Sequence, residues 1–421
     1  MSFIRDRQFY RFSAYGFLKN LRFFEPFIIL YFREIGFSFL QIGILFSIRE
    51  TSTVILEVPT GFVADIGGRK SSMVFSMAAY IVSFLTFFFF RSYTAAAGAM
   101  ILFACGEAFR TGTHKAMILE YLKITGQEEW KPDYYGATRA ASMLGSALNA
   151  LIAATLVFLS GSYRYVFLAA AFPCVINILN LASYPSVLNW ADLHKGHRRP
   201  GFKDSLRRSV SMLKDGTARL SVFNSAGFDA FFKVLKEYLQ PVLRSMAVGL
   251  PVLTAMTADR RTAILAGSVY FVLFILASTA SRYSGRFSRR PRGFVDSINV
   301  TWLAGSTLLV LAGVFQMMSI HAVTVAAYVA LFTVQNLRRP LCVSYISDKV
   351  HTRVMSVGLS VESLTKTLLM AVLAPIFGYA ADTAGIGPAI ALGGGMMWLL
   401  YIPLKLAKGK AGQLHPCPPA S

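Results

Sequence analysis

The stretch Glu57-Val58-Pro59-Thr60-Gly61-Phe62-Val63-Ala64-Asp65-Ile66-Gly67-Gly68-Arg69-Lys70 closes one long apolar run and opens the next. An acid, two adjacent glycines and two cations are compressed into the junction. Gly67 and Gly68 permit a turn with positive φ or a close backbone approach. Asp65 offers a carboxylate to a helix N-terminus or an arginine. Arg69 and Lys70 favour the cytoplasmic side of a membrane. On spacing alone, the stretch is a basic turn between two membrane helices.

Composition points the same way. The chain has 421 residues, 55% hydrophobic and only 15% charged, with a mean hydropathy of +0.52. Soluble domains carry about 25% charged residues, so this is a polytopic membrane protein. The apolar runs are continuous rather than alternating, which makes the spans helices and excludes a β-barrel. The formal charge of +21 does not signal nucleic acid, because the cations lie mostly between apolar runs. There they set topology and favour anionic lipid headgroups. Of the four cysteines, Cys105, Cys174 and Cys342 lie in apolar runs and Cys417 in the tail. No Cys-x-x-Cys or Cys/His cluster supports a metal site or disulfide framework. No metalloprotease, serine-hydrolase or P-loop motif is present, so neither an enzyme nor a cofactor is expected. No cleavable signal peptide is expected either, since Met1–Ser13 is short and basic.

Twelve spans follow from the apolar runs. The first six are predicted at 9–32, 38–64, 71–90, 94–121, 136–160 and 164–184. The last six are predicted at 219–244, 262–281, 295–319, 321–347, 354–381 and 386–404. Cations crowd 185–219, 282–292, the loop after span 2 and the tail (Lys405, Lys408, Lys410). The positive-inside rule places these, and both termini, in the cytoplasm. Arg260 and Arg261, between spans 7 and 8, depart mildly from that pattern. The expected division is a six-helix bundle over 1–184, a basic cytoplasmic linker over 185–219, and a second bundle with a short tail over 220–421. Within the linker, 202–213 fits either an amphipathic helix on the inner leaflet or a solvated segment. Phe17…Pro26 resembles Phe232…Pro241 at an offset of 215, and Arg110…Glu120 resembles Arg338…Asp348 at an offset of 228. Both offsets are near half the chain, as in transporters built from internal repeats.

Buried charge is the most informative pattern. An ionisable group at the bilayer centre costs roughly 2.5–3.5 kcal/mol on insertion scales. Spans 3, 6, 9 and 12 are almost free of charge. Span 1 carries Lys19, Arg22 and Glu25, and span 2 carries Arg49 and Glu50. Span 4 carries Glu107, Arg110 and His114, while span 7 carries Asp229, Lys233, Lys236 and Glu237. Span 10 has Gln335, Asn336, Arg338 and Arg339, and span 11 has Glu362 and Lys366. Steps of three and four give each helix one polar face. Six such faces require a shared, water-accessible cavity lined by spans 1, 2, 4, 7, 10 and 11.

The pattern Gly61-x-x-x-Asp65-x-x-Gly68-Arg69-Lys70 resembles the loop 2–3 signature of the major facilitator superfamily, and every fixed position matches. The resemblance implies an all-α membrane protein of twelve transmembrane helices in two pseudo-symmetric six-helix bundles. It implies that the first, fourth, seventh and tenth helices line the cavity while the third, sixth, ninth and twelfth face lipid. It also implies that Gly61, Asp65, Gly68, Arg69 and Lys70 act as a conformational latch. The span 5 antiporter signature of that family is absent from Arg139–Asn149, which argues against a simple drug/proton antiporter.

The expected function is therefore secondary transport of a polar, anionic or zwitterionic small molecule by alternating access, coupled to protons. The expected cavity residues are Lys19, Arg22, Glu107, Arg110, Asp229, Lys233, Asn336, Arg338 and Lys366. Arg110 and Arg338, at matching positions of the two halves, supply positive field from opposite walls. The proton-carrying candidates are Glu25, Glu50, Glu107, Asp229 and His114. Packing alternatives stand beside these: Asp229–Lys233–Glu237 and Glu362–Lys366 also fit intrahelical ion ladders, and His114 fits a hydrogen-bonded core histidine. A multidrug or cationic-compound exporter would rest on the acids rather than the arginines. A transporter-like receptor or sensor is the rival of another class. The expected setting is a monomer in the inner (plasma) membrane of a bacterium.

Overall fold

The computed structural model describes residues 4–189, 216–251, 254–288, 294–349 and 355–406. Among these residues the ordered elements are helical, as hydrocarbon demands of a chain that must satisfy its backbone internally. They are α1 (Arg7–Lys19), α2 (Ile28–Glu34), α3 (Phe39–Gly67), α4 (Arg69–Phe89), α5 (Tyr93–Arg110), α6 (Thr113–Ile124), α7 (Lys131–Ser160) and α8 (Tyr165–Ala182). The second half supplies α9 (Gly216–Leu235), α10 (Leu239–Gly249), α11 (Ala258–Ser288), α12 (Phe294–Met317), α13 (His321–Lys349), α14 (Met355–Thr383) and α15 (Ile386–Leu404).

These helices form twelve spans, because α1 with α2, α5 with α6, and α9 with α10 are each one span broken in two. Eight helices are long and apolar enough to cross a membrane, and they are α3, α4, α7, α8, α11, α12, α14 and α15. The other four positions are spans 1, 4, 7 and 10. Three of these are the broken spans, and the fourth, α13, is made polar by Gln335, Asn336, Arg338 and Arg339. The predicted spans 1, 4 and 7 are each interrupted, and each break has a local cause. Pro26 and Pro241 lack an N–H and crowd the carbonyl four residues earlier. The chain tightens around them: Glu25 N–H turns back to Arg22 O at 3.0 Å, and Lys236–Tyr238 winds as a 3₁₀ turn. In span 4, Gly112 at φ +76° interrupts the helix two residues after Arg110. Pro340 and Pro375, in contrast, lie inside helices that continue through them.

Helix ends are capped by the expected chemistry. Asp6 accepts from Phe9 N at 2.8 Å, and Ser38 forms a capping box with Gln41. Large apolar side chains stay exposed on spans 3, 5, 6 and 12, including Phe89, Leu159, Phe172, Leu179, Leu399 and Ile402. In a membrane those surfaces face lipid rather than water.

The first six and last six spans meet along two seams, α3 against α14 and α7 against α11. Gly43 and Gly378 make the first seam close: a Cβ at Gly43 would strike Ala374 O, and one at Gly378 would strike Phe39 O. At that end of the bundle Asp382 accepts from Phe39 N at 2.9 Å and Leu40 N at 2.7 Å. A carboxylate from span 11 thus satisfies the orphan donors that open span 2. Nearby, Tyr163 OH donates to Asp259 at 3.0 Å, and Arg244 pairs with the same carboxylate at 3.3 Å. The linker segment 202–213, the basic segment 289–293 and the tail beyond 406 lie outside the described residues.

Candidate functional site

The breaks in spans 1 and 7 face each other, and one side chain from span 7 stitches them together. Gln240 is fully buried. Its Oε1 accepts from Ile29 N at 2.8 Å, satisfying the uncapped start of α2. Its Nε2 donates to Glu25 O at 3.0 Å and to Glu237 Oε2 at 2.8 Å. With an offset of 215 the repeat aligns Pro26 with Pro241, hence Glu25 with Gln240 and Arg22 with Glu237. The two residues that this offset aligns, Glu25 and Gln240, touch.

A cavity of about 270 Å³ opens beside this junction. Its walls come from spans 1 (Arg22, Phe24, Glu25, Ile28), 2 (Phe46, Arg49, Glu50, Thr53), 4 (Phe103, Glu107), 7 (Lys233, Lys236, Glu237) and 11 (Met370). Four cations and four carboxylates line it, so their formal charges cancel. The cavity surface carries no excess of positive charge.

Glu107 is the centre of the span 1–4 wall. It accepts from Arg22, from Tyr80 OH at 2.6 Å and from Arg110 at 2.5 Å, and Arg110 Nε reaches Tyr80 at 3.2 Å. Both carboxylate oxygens are engaged, so Glu107 acts as a fixed strut between two guanidinium groups. The Arg22 guanidinium also lies over the Phe103 ring at 5.4 Å. On span 2, Arg49 makes two hydrogen bonds to Glu50 at 2.8 and 3.0 Å. On span 7, Lys236 pairs with Glu237 at 2.9 Å. Glu25 is about half exposed, and its contact with Arg22 is long, at 3.4 Å.

At the opposite end of span 2 the turn anticipated from the sequence forms. Gly68 takes φ +90°, and a Cβ there would strike the Asn189 side chain. Asn189 Oδ1 accepts from Lys70 N at 2.9 Å, Asn189 O accepts from Arg69 N at 3.1 Å, and Lys70 Nζ reaches Tyr184 O at 3.0 Å. The end of span 6 thus grips the start of span 3. Gly61 lies within α3, and the side chain of Asp65 lies outside the described set.

The family model of the Major Facilitator Superfamily matches residues 12–365, most of the chain. The chain belongs to the Major Facilitator Superfamily. Among relatives, this superfamily member is 32% identical over 124 residues to an uncharacterized MFS-type transporter, YxaM, of Bacillus subtilis. That match covers 29% of this chain and 30% of YxaM, so it spans less than a third of the relative. Among solved structures, the nucleoside transporter NupG superposes with a TM-score of 0.74 at 12% identity, covering 95% of this chain and 98% of NupG. A mutant form of the peptide transporter POT reaches 0.70 at 11% identity over 94% and 93%. A D-xylose-proton symporter reaches 0.66 at 13% identity over 93% and 96%. At such identities these likenesses show the fold alone.

Within this superfamily member the predicted site residues separate into groups. Arg22, Glu25, Glu50, Glu107 and Lys233 reach the cavity, and Arg110 stands behind Glu107. Arg338 does not, which corrects the expected pairing of Arg110 and Arg338 across the cavity. It is 1% exposed and donates to Asn224 Oδ1, Ile298 O and Thr301 Oγ1, beneath the rings of Phe228 and Trp302. It welds spans 7, 9 and 10 into one block. Asn336 returns its amide to Phe332 O at 2.8 Å, and span 10 contributes no residue to the cavity lining described above, against expectation. Asp229 is buried and accepts from Gln335 at 2.7 Å, and Lys366 is buried on span 11. Neither reaches the cavity surface. His114 stacks on Tyr15 at 3.9 Å with its Nε2 at 3.4 Å from Tyr184 OH, in a packing role, and Lys19 closes α1 outside the lining.

Gln240, Tyr80 and Asn189 were missed because none is charged. A signal existed for Gln240, since the offset that pairs Pro26 with Pro241 also pairs Gln240 with Glu25.

Proposed function

We propose that this chain is a secondary transporter that carries a small zwitterionic solute by alternating access, with protons as the coupling ion. The observation that supports this best is the cavity at the meeting of the two halves, lined by four cations and four carboxylates. A lining without net charge favours a solute with both signs over a plain anion. Eight ionisable walls around about 270 Å³ disfavour a bulky hydrophobic drug. Two bundles, 1–184 and 220–421, would rock about this site. The turn at Gly68, Arg69 and Lys70, held by Asn189, would act as a latch. The membrane would be a bacterial plasma membrane with both termini in the cytoplasm and anionic lipid against the basic loops. One chain holds a whole cavity, so a monomer suffices.

Glu25 is the candidate proton carrier, because it is the least committed carboxylate of the lining. The test is solute flux in proteoliposomes carrying an imposed pH gradient. Accumulation that follows the gradient, and that is abolished by Glu25→Gln while downhill exchange persists at saturating solute, supports the reading. Flux of an identified solute that ignores the gradient overturns the proton coupling.

A further inference from the structure

The lining cations are not equivalent. Arg22 is paired with Glu107, Arg49 with Glu50, and Lys236 with Glu237. Lys233, among the described residues, makes no hydrogen bond or ion pair, although it lines the same cavity from α9. The nearby carboxylates each have another partner and none is in contact with Lys233. Asp229, one turn earlier, is held by Gln335 at 2.7 Å, Glu50 by Arg49 at 2.8 Å, and Glu362 meets Ser225 at 3.4 Å. A partly buried ammonium with no counter-ion in contact is an unfavourable arrangement that a ligand oxyanion would relieve. On the acidic side the least committed group is Glu25, half exposed and bound to Arg22 only at 3.4 Å. Lys233 and Glu25 come from opposite halves of the chain and face the same space.

From this geometry we infer that Lys233 anchors the carboxylate end of the substrate and Glu25 its ammonium end, so that the substrate is an amino-carboxylate bridging the two halves. The inference rests on the cavity being the transport site. Size limits the spacer. At about 270 Å³ the cavity falls below the range of drug-sized pockets, which favours a short spacer. Bridging both halves also gives the solute a part in the mechanism. A molecule bound at both ends draws the halves together, whereas a carboxylate or an amine alone engages one wall.

The experiment uses the purified full chain and a ladder of ω-amino acids, β-alanine, γ-aminobutyrate and ε-aminohexanoate, with hexanoate and hexylammonium as single-ended controls. Binding is read by ligand-dependent thermal shift at fixed pH and ionic strength. One rung of the ladder is expected to bind roughly 10- to 100-fold more tightly than either control, the range of one charged hydrogen bond. Lys233→Gln should weaken that rung and hexanoate by a similar factor and leave hexylammonium unchanged. Glu25→Gln should do the converse. Lys233→Arg keeps the charge and should retain carboxylate binding, which separates loss of the anchor from loss of the fold. Equal binding of the best rung by the wild type and Lys233→Gln, or no binding of any rung, overturns the inference. Counterflow in proteoliposomes separates the two readings. Selective binding without counterflow defeats the transport reading and leaves the anchor standing. Counterflow indifferent to Lys233→Gln does the reverse.

Discussion

Replacing Gln240 with leucine keeps the volume at the junction but removes the hydrogen bonds of the amide. Two of these, to Ile29 N and Glu25 O, join the halves of the chain. Both partners sit at the break in span 1, where the helix itself cannot satisfy them. Orphaning a buried polar group costs about 1–3 kcal/mol, so the state in which the halves meet here is weakened by about 2–6 kcal/mol. Even about 3 kcal/mol raises the opened fraction by about a hundredfold. The assay is thiol labelling of Leu40→Cys, which lies at the seam beside Asp382, with the four native cysteines replaced by serine. If labelling proceeds through opening, its rate with a membrane-impermeant reagent should rise by about that factor in the Gln240→Leu background. An unchanged labelling rate accompanied by a lower melting temperature would show that Gln240 only stabilises span 1. The reasoning about the seam would then be refuted.

Three further outcomes are expected. Arg338→Ala should lower thermal stability by about 3 kcal/mol or more, since it orphans Asn224 and opens a void under Trp302, while leaving the affinity for an identified solute within about twofold. Arg338→Lys should not restore stability, because one ammonium cannot reproduce the planar fork, and thermal melts with a binding titration check both. Gly378→Ala places a methyl against Phe39 O. It should hold the seam apart and raise Leu40→Cys labelling, an effect absent from Gly395→Ala, where the space is open. Asn189→Ala removes the acceptor for Lys70 N. It should speed amide exchange at Lys70 and Ser71 by about fivefold, read by hydrogen-exchange mass spectrometry, for a cap worth about 1 kcal/mol.

The fold was legible because its determinants are additive along the chain. Apolar length, loop charge and the junction at Gly61–Lys70 each act locally, and span 12 begins and ends at the residues expected. The site was only half legible. Spacing tells which residues share a face of an unbroken helix, and the spans that matter here are broken. Arg22 and Glu25 enter the cavity from turns around Pro26, not from a helical stripe. Arg338 shows the complementary limit. An arginine in a polar-faced span reads as a cavity residue, yet here Asn224, Thr301 and two aromatic rings hold it inside one half, with its Nε left unpartnered. Charge in the sequence reveals that a partner exists, and only the packing reveals whether that partner is protein or solute.

The cancelling charges of the cavity have an electrical consequence. When access to a site switches from one face of a membrane to the other, the net charge of its lining is in effect carried across the field. Each elementary charge so moved is worth about 2.3 kcal/mol per 100 mV. Four cations against four carboxylates make that quantity zero for the empty carrier, and a neutral zwitterion adds nothing. The return of the empty protein is then insensitive to voltage, and each bound proton contributes one unit. If protons are the coupling ion, as proposed, a current accompanying transport of such a solute would count the protons coupled to it.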